Sequence, residues 1–292
     1  MAIESPSPSS SQSPTQAARL LCRSNGVKST TGLAPGYLQA NLVILPSRYS
    51  SDFQDLCARN PVPCPLLGIT PVGNPHTILP EGCIQHEDFD IRTDFPSYAV
   101  TSNNGKSVTL KTDILAEWTS DHIAFLIGCS FSFEDALLAN GLKICHQLAG
   151  NVVAMYQSNI PVLPSGVFYG SSMVVSMRTY QPDEIDTARD VTRPFLATHG
   201  EPVAWGFEGA KSIGVVDIKT PEFGDAQVFA EGEVPVFWAC GVTPQVAVRN
   251  AVSAGRVKGV TMAHEPGHML VTDWTVDDLP LIPGKIAALG RV

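Results

Sequence analysis

Short apolar, β-rich runs separated by Pro/Gly turns recur along the chain, and between them lie longer stretches whose apolar positions fall three and four residues apart. That alternation predicts an α/β chain rather than a helical bundle or a β-sandwich. Strands are predicted at residues 41–45, 66–70, 98–101, 108–112, 173–177, 213–218, 234–239 and 259–263. Helices are predicted at residues 50–59, ending ahead of Pro61, Pro63 and Pro65, and at 113–127, 132–140, 183–189 and 243–253. The apolar run at 123–127 also has the length of a buried strand, so two readings overlap there.

The first 14 residues are rich in Ser and Pro and carry too little apolar surface to offset the entropy of ordering; a disordered tail is expected. A helix over residues 15–27 should follow, with Thr15 as its cap and Ala18, Leu21 and Cys22 as its apolar stripe. Residues 15–140 and 206–292 are expected to form the main domain, and 141–205 a smaller subdomain.

Composition narrows the partners. The 292 residues hold 19 Lys and Arg against 28 Asp and Glu, a formal charge of −9, which argues against nucleic acid or an anionic membrane surface. No run approaches the ~18 apolar residues of a membrane-spanning helix. A small-molecule substrate fits better, with homo-oligomerisation left open. Seven scattered cysteines without a C-x-x-C pair suit free thiols in a reducing compartment. The cytoplasm is expected, and the spacing of Arg19, Arg23 and Lys28 keeps a transit peptide and the mitochondrial matrix as the alternative.

Candidate chemistry gathers at Pro/Gly corners. His264-Glu-Pro-Gly-His268 matches H-E-x-x-H, but Pro266 and Gly267 oppose the helix that would align two imidazoles on zinc. A turn presenting His264 and His268 as acid or base is expected instead. Phe237-Trp-Ala-Cys-Gly-Val-Thr-Pro-Gln245 runs from a strand through Gly241 into a helix, with Thr243 as the cap and Pro244 as the first helical residue. Cys240 there is a candidate nucleophile or acid, and the corner suits an oxyanion. Gly128-Cys-Ser-Phe-Ser-Phe-Glu134 repeats the design, with Ser130 or Ser132 as the cap and Glu134 as an acid. The two corners can face each other across one crevice. In a chain only 16% charged, Arg178 on an apolar strand needs a carboxylate from substrate or protein, Asp94 being a candidate partner. No P-loop, strand-linked G-x-G-x-x-G or G-x-S-x-G is present.

These blocks, with Ala34-Pro-Gly-Tyr-Leu-Gln-Ala-Asn-Leu42, Arg59-Asn-Pro61, Asp90-Ile-Arg-Thr-Asp94, Val175-Ser-Met-Arg178 and Pro266-Gly-His-Met269, resemble the ordered signature set of the hydro-lyase family that includes D-glutamate cyclase. The resemblance covers roughly residues 16–275, and Glu265 stands where that family usually has a small residue. It implies a three-layer α/β/α main part with a smaller two-layer α+β part, and a lyase that removes or adds water without a cofactor. For D-glutamate cyclase the products are 5-oxo-D-proline and water. On this reading Arg92 and Arg178 hold substrate carboxylates. Asp94, Cys129, Ser130, Ser132, Tyr156, Gly241, Thr243 and Gln245 line the substrate site. Glu134, Cys240, His264 and His268 serve catalysis. A metal-dependent lyase or hydrolase using His264 and His268, and a non-catalytic small-ligand binding protein, are the competing readings.

Overall fold

The computed structural model describes residues 12–102, 105 and 107–290. Its strands in chain order are β1 (Tyr37–Pro46), β2 (Leu66–Ile69), β3 (Tyr98–Thr101), β4 (Val108–Lys111), β5 (His122–Gly128), β6 (Ala154–Pro161), β7 (Ser172–Tyr180), β8 (Ala204–Trp205), β9 (Val234–Ala239), β10 (Thr261–His264) and β11 (Leu270–Thr275). Its helices are α1 (Pro14–Arg23), α2 (Ser50–Arg59), α3 (Glu134–Ala139), α4 (Cys145–Ala149), α5 (Ile185–Thr192), α6 (Gly206–Ser212), α7 (Thr243–Ser253) and α8 (Ile282–Ala288). The fold is mixed α/β. Every paired strand among the described residues runs antiparallel to its neighbour. None of these helices is long and apolar enough to cross a membrane.

The first sheet has the order β2-β5-β1-β10-β3-β4, with β11 also on β1. β1 is at its centre because both of its faces are apolar: Leu38, Ala40, Leu42 and Ile44 enter one core, Val43 and Leu45 another. A strand buried on both faces reads as a continuous hydrophobic run. The second core is closed by α2 through Phe53 and Leu56 and by α7 through Ala247 and Ala251.

A second sheet, β6-β7-β9-β8, packs over the other face of the first. Tyr180, Val236 and Trp238 project from it into the core that holds Leu38 and Leu42. Its opposite face, with Tyr156, Val175, Met177 and Phe237, is covered by Ala210 of α6 and by Ile213. The sheet runs past the segment 141–205, because β9 pairs with β7 from Val175 against Ala239 to Tyr180 against Val234.

Several predicted elements differ in the structure. Residues 113–127 do not form a helix: one turn closes from Trp118 N–H to the Ile114 carbonyl (3.0 Å), then the apolar run extends as β5 between β1 and β2. Residues 213–218 are not a strand; Ile213 and Val215 bury as plugs beside α6. β6 and β11 were not predicted, polar residues on their outward faces having hidden the alternation. Of the expected tail, residues 1–11 lie outside the described residues. Pro14 begins α1 and Ser13 caps it through Gln16 N–H (3.1 Å), so Thr15 is not the cap and hydrogen-bonds Asp273 instead.

Candidate active site

At the end of β5 the chain turns at Gly128, passes through a single 3-10 turn at Ser130–Phe133 and enters α3 at Glu134. This brings Glu134, 1% exposed, beneath the inner face of β7. There Arg178, 2% exposed, donates Nε–H to Glu134 Oε1 (3.1 Å) and bonds the same oxygen through its terminal nitrogen. It also donates to Ser130 Oγ (3.1 Å) and Ser176 Oγ (3.3 Å), and lies over the rings of Phe133 and Trp238. His146 of α4 places Nε2 3.2 Å from Glu134 Oε1, its ring stacked on Phe131. Glu134 Oε2 accepts from Gln147 Nε2 (2.8 Å) and Thr31 Oγ1 (3.1 Å), two half-buried side chains. Burial by itself would lift the Glu134 carboxyl, but Arg178 and His146 outweigh it and bring the pKa down to about 2. Arg178 therefore has its charge balanced within the protein, by Glu134 and not by Asp94.

The two corners do meet. Asn41 of β1 donates to the carbonyls of Gly128 (2.8 Å) and Ile127 (3.3 Å), and a methyl on Gly241 would lie 2.0 Å from the same Asn41 amide. A methyl on Gly128 would lie 1.9 Å from the Ala197 carbonyl. Both glycines thus admit the protein's own chain. Cys129 and Cys240 share a small apolar cluster with Phe131, Met155, Val174 and Met269. Burial pushes the Cys240 thiol up to about 11 and raises that of Cys129, so neither is a thiolate near neutral pH. The cap of the 3-10 turn is Cys129, whose Sγ accepts from Phe131 N–H (3.5 Å). The serines have other partners: Ser130 accepts from Arg178, and Ser132 Oγ accepts from Gln39 N–H (2.9 Å).

In α7 Thr243 is the first helical residue, with Val242 as the cap and Pro244 second. Thr243 Oγ1 accepts from Val174 N–H (3.0 Å), tying the helix to β7. Gln245 reaches His264, its Nε2 2.8 Å from Nδ1. That Nδ1 also accepts from Leu42 N–H (3.0 Å), so the ring carries its proton on Nε2. Burial lowers the His264 pKa to about 3, keeping the ring neutral at ordinary pH. His268 lies in a turn, bonded from its N–H to Glu265 (3.0 Å), with Gly267 at φ +90°. The two histidines are on a strand end and a turn, not on one helix. Among the described residues no group of three His, Cys, Asp or Glu side chains is placed to hold a metal.

Three expected substrate ligands lie elsewhere. Arg92 is clamped by Asp90 (2.8 and 2.7 Å), and Asp94 by Arg23 (2.8 and 3.0 Å). Tyr156 donates to the Ile218 carbonyl (2.6 Å) on the face of the second sheet that turns away from Arg178. His146, Gln147 and Thr31 were missed. They sit in a five-residue helix and a loop, which have no periodicity to mark them. The usable signal is the scarcity of charge: with only seven histidines, one in an otherwise uncharged stretch such as 144–149 merits weight.

A buried carboxylate, guanidinium and imidazole thus lie together where the two sheets of this mixed α/β protein meet. Residues 123–273 match the family model described as D-glutamate cyclase. A Schizosaccharomyces pombe protein named "Putative hydro-lyase" is 46% identical over 90% of this chain and 84% of its own length. Proteins of that name from Rubrobacter xylanophilus (49% identity, 84% of this chain and 89% of the relative) and Rhodopseudomonas palustris (46%, 89% and 90%) agree. The chain belongs to the D-glutamate cyclase family. A solved nitrogen repressor-like protein from Methanococcus jannaschii aligns over 90% of this chain and 99% of its own at 10% identity and a TM-score of 0.37, too slight a likeness to bear on fold or function.

Proposed function

We propose that this chain is a hydro-lyase acting on a small amino or hydroxy carboxylic acid, with D-glutamate to 5-oxo-D-proline and water as the leading reaction. Family membership and the relatives' names support the reaction class. The observation that carries the reading is the buried, ionised Glu134 held between Arg178 and His146.

Lactam formation makes a bond from the substrate nitrogen to the γ-carboxyl carbon and breaks one carbon–oxygen bond. The ammonium gives up two protons and the departing oxygen takes two, leaving as water. A group that accepts and returns protons in a dry site meets that need. Protonating Glu134 would strand the Arg178 charge in the interior, a costly arrangement. Proton transfer therefore falls to His146, whose Nε2 lies 3.2 Å from Glu134 Oε1, with Arg178 holding Glu134 in place. Thr31 and Gln147, half-buried, complete the hydrogen bonds to Glu134 Oε2.

The test incubates the purified protein with D-glutamate, with 5-oxo-D-proline and with a panel of amino and hydroxy acids, following loss or gain of one water by mass. Turnover is expected, falling by roughly 100-fold or more in His146→Asn with the fold retained. Absence of turnover across the panel refutes the reading.

A further inference from the structure

The proposed reaction leaves the substrate's α-carboxylate intact, and an unpaired cation is well suited to hold such a group. Arg178 and Arg92 are neutralised internally, by Glu134 and Asp90. A cleft beside the Cys240–Gly241 corner offers another. It is lined along α7 by Val242, Gln245, Val248 and Arg249, and across from them by Phe223, with about 50 Å³ of space for water. A water needs ~10–15 Å³ of such space, so the cleft takes a carboxylate and its neighbouring carbon.

Gln245 and Arg249 are one turn apart on the same face of α7, so their side chains converge on the cleft. The paired strand residues Thr101 and Thr261 bring further polar side chains to its wall, and no Asp or Glu is among the described residues that line it. Arg249 has no ion pair or hydrogen bond among the described residues; its guanidinium lies 5.4 Å above the Phe223 ring. Arg249 is exposed, and its neighbours strip it of only part of its water, which lowers its pKa from the ordinary value. Arg19, Arg23, Arg48, Arg92, Arg178, Arg189 and Arg193 all meet carboxylates, Arg256 donates to backbone carbonyls, and only the exposed Arg59 shares with Arg249 the lack of either partner among the described residues.

We infer that Arg249, with Gln245 beside it, is a carboxylate-binding subsite for small dicarboxylic acids. The inference rests on the proposed function for the identity of the ligand. Gln245 links the subsite to the interior, because the amide that reaches His264 belongs to the same side chain that lines the cleft.

Titration calorimetry with glutarate, D-glutamate and the neutral analogue glutaramide tests this on wild type, Arg249→Gln, Arg249→Lys and His146→Asn, with unfolding midpoints confirming that each variant is folded. Glutarate and D-glutamate should bind wild type and glutaramide should not. Arg249→Gln should weaken binding about tenfold to a hundredfold, as expected for loss of a charge-assisted contact. Arg249→Lys should recover part of it, and His146→Asn should bind normally while losing turnover. Failure of either carboxylate to bind wild type, or equal binding in Arg249→Gln, overturns the subsite. Arg249-dependent binding without turnover keeps the subsite and overturns the proposed reaction.

Discussion

Glu134→Gln isolates the charge at the centre of the cluster, since the substitution keeps shape and removes only the anion. In the folded protein the carboxyl falls from an ordinary 4.5 to about 2, which by linkage corresponds to on the order of 3 kcal/mol of stability. A separate argument agrees: removing one partner of a buried ion pair costs about 3–5 kcal/mol because the other charge is stranded. Against a typical total of ~5–15 kcal/mol, the variant should fold but with a clearly lower urea midpoint. Unfolding followed by tryptophan fluorescence suits the test, as Trp238 lies against Arg178. The sign follows from the depressed pKa. The unfolded chain binds the proton more readily, so this stabilisation is full above about pH 4.5 and is lost as pH falls toward 2. Wild type should lose stability steeply across that window, and Glu134→Gln should lack that part of the slope. A variant within about 1 kcal/mol of wild type at pH 7, or an unchanged acid slope, would refute the reasoning.

Gly128→Ala should lower the thermal midpoint by the equivalent of about 1–3 kcal/mol, because its methyl meets the Ala197 carbonyl, and Gly241→Ala by less, since the Asn41 side chain can shift; calorimetry ranks the two. Native protein at pH 8 should release one thiol quickly to Ellman's reagent, Cys145, since the other six are buried, and all seven in denaturant. The His264 ring resonances should stay fixed between pH 8 and 5 in an NMR titration. Since burial lowers that imidazole to about 3, its share of stability is present above the unfolded value and declines as pH falls from about 6.5 to 3.

Much of the frame was legible in the residues. The apolar runs that became β1, β2, β3 and β9, and the Pro/Gly corners after β5 and β9, follow from local rules of periodicity and turn chemistry. So did the need of Arg178 for an anion, because a lone guanidinium cannot stay buried. Its partner was not legible. Asp94 and Glu134 are both acids at plausible distances along the chain, and only the register that seats β7 over the β5 corner selects Glu134, 44 residues away. The same limit hid His146: its five-residue helix has no local signature, and its meaning comes from what it touches.

By itself, then, the sequence determined the α/β class, the two strand-to-helix corners, the glycine positions and the shortage of charge, all properties set by neighbours along the chain. The tertiary structure decided which charges are spent on one another and which remain free. Arg92, Asp94 and Arg178 are satisfied internally, while Arg249, on a helix surface beside a cleft, meets no carboxylate among the described residues. Charge pairing depends on separation through space, and that separation exists only once two sheets have closed over a common core.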